Sequence, residues 1–212
     1  MIEIQRAATR LVGCLLLLIL CAPVLAQPPG QGQDPDWPCP QVLVPEVSAA
    51  VVWAGPPVEG LDWRGDAEVA ALVRRVSDAG TAQEEAERAV SGFAGAQTGG
   101  QKDARLTLLF AGVLEFLNKD RAHLIDGIKR YSRDQAHRAE VIGQEIDALV
   151  RLEQDGSEMS AAKAAELRKR MAVEERVFDA RERSIRFLCR RPVAVEERLG
   201  RLARMIAGQM DG

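Results

Sequence analysis

The longest regular pattern in the chain is a row of apolar residues between Lys102 and Gln154, a stretch without proline. Leu106, Phe110, Val113, Leu117, Leu124, Ile128, Tyr131, Ala139, Ile142, Ile146 and Leu149 recur along it. With the polar positions 121 and 135 counted as members, the steps average about 3.6 residues, the period of one helix face. A helix of roughly 50 residues would run about 75 Å. Gly112, Gly127 and Gly143 lie inside it. Each costs up to about 1 kcal/mol in a helix and permits a close helix contact.

Asp155-Gly156-Ser157 breaks this row. A second helix is expected from Ser157 or Ser160. Its seam of Leu167, Met171, Glu174, Phe178, Arg181, Ile185 and Leu188 advances by alternating fours and threes, the strict repeat of a coiled coil. Pro192 is expected to interrupt it. Val193 to Gln209 would then form a separate helix with Val195, Leu199, Leu202 and Ile206 inside. If the long helices fold back at the break, residues whose numbers sum to about 313 face each other. Leu167 then meets Ile146, Met171 meets Ile142, Ile185 meets Ile128, and Glu174 falls beside Arg138 and Ala139.

Before Lys102 the pattern is shorter-ranged. Asp66 caps an expected helix to about Asp78, with Val69, Leu72, Val73 and Val76 on one face. Thr81-Ala82-Gln83-Glu84 has the form of a capping box and opens another to about Ala94, carrying Ala86, Val90 and Phe93. Residues 37–64 hold all three tryptophans, Trp37, Trp53 and Trp63, together with Pro38, Pro40, Pro45, Pro56 and Pro57. The prolines forbid a long helix. The tryptophans, each able to bury about 150–250 Å², argue for an ordered strap over the helices, with Ser48–Trp53 as one short helix. Residues 27–36 read as a flexible tail. The expected fold is therefore all-α: a helical bundle base at 65–212 with a long antiparallel two-helix coiled-coil arm at about 125–188, preceded by a Pro/Trp-rich wrapping segment.

The first 26 residues change the setting. Arg6 and Arg10 precede an apolar run from Leu11 to Leu25, and Val24 and Ala26 are small enough for the −3 and −1 positions of a signal peptidase. Residues 1–26 read as a signal peptide cleaved before Gln27, which makes the protein exported, periplasmic or extracellular. A retained anchor would need about 20 apolar residues, and this run is shorter. Leu11-Val12-Gly13-Cys14 has the shape of a lipoprotein box, but the hydrophobic stretch follows Cys14 instead of preceding it. Cleavage removes Cys14 and Cys21 and leaves Cys39 and Cys189, two thiols in an oxidising compartment, so a Cys39–Cys189 disulfide is expected. Neither sits in a Cys-x-x-Cys motif.

Charge and motifs exclude more than they assign. The formal net charge of −3 argues against nucleic acid, which wants a basic face. His123 and His137 each follow an aspartate by three residues, Asp120 and Asp134. They share a helix face about 21 Å apart, and each Asp–His pair is short of a zinc ligand set. Arg186, Arg190 and Arg191, near the expected C-terminus of the second long helix, suit its dipole and form a candidate anion patch. No nucleophile elbow, phosphate loop or zinc-protease helix is present, and no cofactor is expected.

The blocks Asp36-Trp37-Pro38-Cys39-Pro40-Gln41, Val52-Trp53-Ala54-Gly55-Pro56 and Lys102-Asp103-Ala104-Arg105-Leu106-Thr107-Leu108-Leu109-Phe110 resemble those of a group of small secreted bacterial proteins. The resemblance spans most of the chain after the leader and implies no activity, cofactor or partner. The expected function is that of a non-enzymatic interaction or scaffold module for an envelope or periplasmic complex, with a protein partner on the arm's apolar side at Val141, Val150 and Val177. Two alternatives are a holdase chaperone for exported chains and a metal- or redox-linked sensor or enzyme using the histidines or cysteines. The seam serves equally within one chain or swapped between the two chains of a homodimer.

Overall fold

A computed structural model describes residues 34–98 and 100–211; the expected leader and residues 27–33 of the expected tail lie outside these. Helices account for most of the described residues, and no strand occurs among them. In chain order they are α1 (Ala49–Val52), α2 (Ala67–Ser77), α3 (Gln83–Gly95), α4 (Lys102–Asp155) and α5 (Glu158–Ala207), with one 3-10 turn at Trp63–Gly65. The fold is all-α and is dominated by the hairpin of α4 on α5.

The helix ends follow local chemistry. Ser48 caps α1, accepting from the Ala50 amide. The Asp66 carboxylate accepts from the amides of Glu68 and Val69 and caps α2. The capping box expected at Thr81 does not form. α3 starts at Gln83 with Ala82 in the cap position, because the Thr81 hydroxyl donates backwards to the Arg75 carbonyl at 2.7 Å, closing the end of α2. At the hairpin turn Gly156 takes the left-handed conformation, φ 67°, and Ser157 caps α5 by accepting from the Ser160 amide.

The expected break at Pro192 is also corrected. α5 is continuous from Glu158 to Ala207 with Pro192 inside it. Proline removes the amide that would bond the carbonyl four residues back and costs about 3 kcal/mol in a helix interior. Here the ring is buried in the base, under 2% exposed. One residue beyond the Leu188 carbonyl that the proline leaves without its helical donor, the Gln41 side-chain amide ties the strap to the helix by bonding the Cys189 carbonyl at 2.7 Å. Burial of the ring thus offsets a defect that would end an exposed helix.

The main core lies at the base. Val69, Val73 and Val76 of α2, Val90 and Phe93 of α3, Leu106, Phe110, Val113 and Leu117 of α4, and Leu199, Leu202 and Ile206 of α5 are all buried there. Trp63 closes one side of this core, its indole donating to Glu115 at 2.8 Å. Trp53 stacks on Phe110, ring centroids 4.1 Å apart. Among the three interior glycines of α4, only Gly112 sits in a tight contact. A Cβ there would lie 2.5 Å from Val73 and 2.8 Å from Trp63, whereas one at Gly127 would meet only the Arg130 side chain at 3.9 Å and one at Gly143 nothing within 4 Å.

Candidate functional site

Two features set the arm apart: how its root is held and how its two helices meet. At the root, Trp37, Cys39, Ile125, Ile128 and Cys189 form a second buried cluster, with Leu43, Ile185 and Leu188 against it. The Cys39 and Cys189 sulfurs are 2.01 Å apart, disulfide-bonded across a sequence separation of 150 residues. The Trp37 indole donates to the Gln41 carbonyl at 2.8 Å, folding the strap on itself beside the bridge. Asp34 and Asp36, which the sequence placed in the tail, pair with Lys129 at 2.8 Å and Arg133 at 2.6 Å.

Farther along, the strap is pinned by buried polar groups of α4. Asn118 accepts from the Val47 amide at 3.0 Å and donates to the Val47 carbonyl at 2.9 Å. Arg121, a member of the apolar row, is buried. It donates to the carbonyls of Val44 and Pro45 and to Glu196 of α5. Three elements therefore meet at one guanidinium, whose planar fork suits such a junction better than an ammonium would.

Within the arm the seam differs from the expected one in one respect. On α5 it follows the expected repeat. On α4, Gln135 is buried and Arg138, Ile142, Glu145 and Leu149 are partly buried, while Ala139 is exposed and Ile146 is 48% exposed. The seam keeps to a 3.5-residue repeat through Arg138 and Glu145, because a two-helix coiled coil holds its contact line at that period. The expected facing pairs involving Ala139 and Ile146 shift accordingly. The central pairing of residues summing to about 313 stands. Gln135 donates to the Phe178 carbonyl at 3.0 Å, and Tyr131 to the Arg181 carbonyl at 3.1 Å.

The middle of the arm is thus held by polar contacts. Arg181 donates to Gln135 at 3.0 Å and lies over the Tyr131 ring, 4.1 Å from its centroid. Arg138 pairs with Glu174 at 3.4 Å, the pair anticipated from the turn, and Arg170 with Glu145 at 3.0 Å. Beside these pairs runs a groove of about 470 Å³, lined by Asp134, His137, Val141 and Ile142 on α4 and by Glu174 and Arg181 on α5. The second carboxylate oxygen of Glu145, also in its lining, is buried without a hydrogen-bond partner.

The expected site residues scatter around this geometry. Val141, Val150 and Val177 are exposed by 39%, 44% and 39%. They do not form one patch. Val141 and Val177 each precede a seam residue and so share one flank of the antiparallel pair, whereas Val150 follows one and lies on the other flank. His123 is exposed, and His137 lies 3.6 Å from Glu140, one turn onward, instead of pairing with Asp134. No group of three or more potential metal-ligating side chains occurs among the described residues. Arg186, Arg190 and Arg191 are exposed, but α5 runs on past them to Ala207, so no helix end lies there for them to complement. Arg190 instead covers Phe187, which is 67% exposed. No described helix is long and apolar enough to cross a membrane.

Gln41 and Asn118 escaped the sequence reading, since a lone amide side chain carries no periodic signal. Arg121 and Gln135 did leave one: both are polar residues at apolar-row positions. Comparison with known proteins returned no matching family, no matching curated protein and no matching solved structure.

Proposed function

We propose that this is a non-enzymatic exported protein whose arm serves as an interaction or scaffold module in an envelope or periplasmic complex. The observation that carries the reading is the arm itself. Its root is fixed by a disulfide and a strap, and beyond its seam it presents exposed apolar side chains that its own fold leaves uncovered, among them Val141 in the groove lining and Val177 on the same flank. A rigid helical surface of this kind suits helix-on-helix or groove recognition. Export is supported by the leader pattern and by the disulfide, a bond that persists in oxidising compartments.

Photo-cross-linking from positions 141 and 177 in the exported protein tests this. A discrete cross-linked species, lost in Val141→Glu and Val177→Glu variants that keep their helical content, is the expected result. The absence of any discrete species from either position would overturn the reading. A holdase is the second reading, favoured by the exposure of Phe187, Val173 and Val177. It predicts suppression of aggregation of a denatured client at near-stoichiometric ratio, and no suppression removes it.

A further inference from the structure

Outside its seam the arm carries two more rows of small and apolar residues, one on each flank. On α4 the row is Ala139, Gly143, Ile146 and Val150; on α5 it is Val173, Val177, Ala180 and Ser184. Both advance by steps of four, three and four, the spacing of a coiled-coil seam. Ile146 is 48% exposed and Val173 49%. A line of charge runs beside each row: Glu140 and Asp147 on α4, Arg176 and Arg183 on α5. Among the described residues Asp147, Arg176 and Arg183 make no ion pair, and Glu140 faces only His137.

We propose that these rows are the two halves of one contact, through which the arm docks along the arm of a second copy of this chain. With α4 of one copy parallel to α5 of the next and 139 set against 173, each position of one row meets a position of the other. Ala139 faces Val173, Gly143 faces Val177, Ile146 faces Ala180, and Val150 faces Ser184. Every pair joins a larger side chain to a smaller one, which lets the facing layers interdigitate. Gly143 has no atom within 4 Å of the place a Cβ would occupy, so a valine has room there.

The same alignment brings Glu140 beside Arg176 and Asp147 beside Arg183. Only parallel helices do this, since the acidic line lies clockwise of its row and the basic line counter-clockwise, and such edges meet in a parallel pair. α4 runs from root to tip and α5 from tip to root, so parallel helices mean opposed arms, the tip of one beside the root of the other. The two rows lie on opposite flanks because Ile146 follows its seam neighbour Glu145 and Val173 precedes its own, Glu174. The contact is therefore between unlike surfaces, each copy keeps one row free, and association continues copy by copy. A lipid surface fits less well. A single row of two valines, an alanine and a serine is narrower than the apolar face an interfacial helix inserts.

This inference rests on reading the arm as an interaction module and names its partner. The test is sedimentation equilibrium of the exported chain and of two charge-reversed variants, Arg176→Glu/Arg183→Glu and Glu140→Arg/Asp147→Arg, alone and mixed. Circular dichroism checks that each variant keeps its helices. The wild type should gain mass with concentration up to about 1 mM, where even a millimolar contact is substantially occupied. Each variant alone should associate at least about tenfold more weakly. An equimolar mixture should regain association, because the intact acidic row of the first meets the intact basic row of the second.

A monomeric wild type, variants that associate like the wild type, or a mixture that stays monomeric each overturns the proposal. So does a monomeric wild type that binds phosphatidylglycerol vesicles, which would assign the rows to a lipid surface. Cross-linking from positions 141 and 177 to a different protein is unaffected by any of these outcomes, so failure of self-docking and failure of the interaction-module reading are separable.

Discussion

Single residues decide the base. Gly112 is where α4, Val73 of α2 and Trp63 converge, and a Cβ would come within 3 Å of both neighbours. Gly112→Ala gains helix propensity of up to about 1 kcal/mol but forces apart a closed core, a cost of about 1–3 kcal/mol. Net destabilisation is expected in urea melts. Gly143→Ala, with open space around it, should stabilise the monomer instead. The sequence could not separate these glycines, since each lies in the same helix beside a member of its apolar row, and only the packing of other elements tells them apart.

Asp66 makes the base sensitive to acid. Its carboxylate accepts from the Val69 and Glu68 amides and pairs with Arg105 at 2.8 Å, which holds its pKa below the ordinary value. A depressed folded-state pKa contributes stability that is present above the unfolded value, about 3.9, and is lost as pH falls through the folded one. Asp66→Asn should therefore be less stable than the wild type at pH 7, and the gap should close below about pH 4. Thermal melts at stepped pH read this directly. A gap that stays constant would show that the charge of Asp66 adds nothing to its cap.

At the level of elements, the two long helices and their turn were legible because each is a sustained periodic signal ended by a residue with a physical reason to stop it. Gly156 supplies the left-handed turn and Ser157 the next cap. The continuity of α5 through Pro192 is not legible in sequence, because proline's local penalty is visible there while the burial that offsets it is not. A continuous α5 predicts that amides on both sides of Pro192 exchange slowly and at similar rates. Fast exchange confined to residues 190–196 would restore the two-helix description.

The strap is the element most dependent on a covalent bond. A bridge closing a 150-residue loop restricts the unfolded chain by an amount the entropy model puts near 5 kcal/mol, and typical removals cost about 2–5 kcal/mol. Cys39→Ser/Cys189→Ser should lose stability in that range. It should also expose Trp37, seen as a red shift of tryptophan emission, while Trp53 and Trp63 stay packed on the base. Unchanged emission would mean that Gln41, Asn118 and Arg121 hold the strap without the disulfide.

Across the molecule, burial is unevenly shared. The base core is enclosed by α2 to α5 together with Trp63, whereas from Arg138 to Met171 the described arm buries only Ala164 and Leu167. Its polar seam holds two helices in register but supplies little hydrophobic stabilisation, since exposed ion pairs are each worth about 0–1 kcal/mol. The arm's length is therefore not needed to fold the base. Deleting residues 138–151 together with 162–175 removes two heptads from each helix, keeps the facing residues in register and shortens the arm by about 21 Å. The truncated protein should retain the Cys39–Cys189 bridge and melt within about 4 °C of the full chain, a shift of the size a 1 kcal/mol change produces. It should also lose most of the groove lining, the whole α4 outer row and Val173 of the α5 row, and with them any self-association. A larger fall in melting temperature would mean that the distal arm stabilises the base; an undiminished association would place the contact nearer the root, around Phe187 and the arginines beside it.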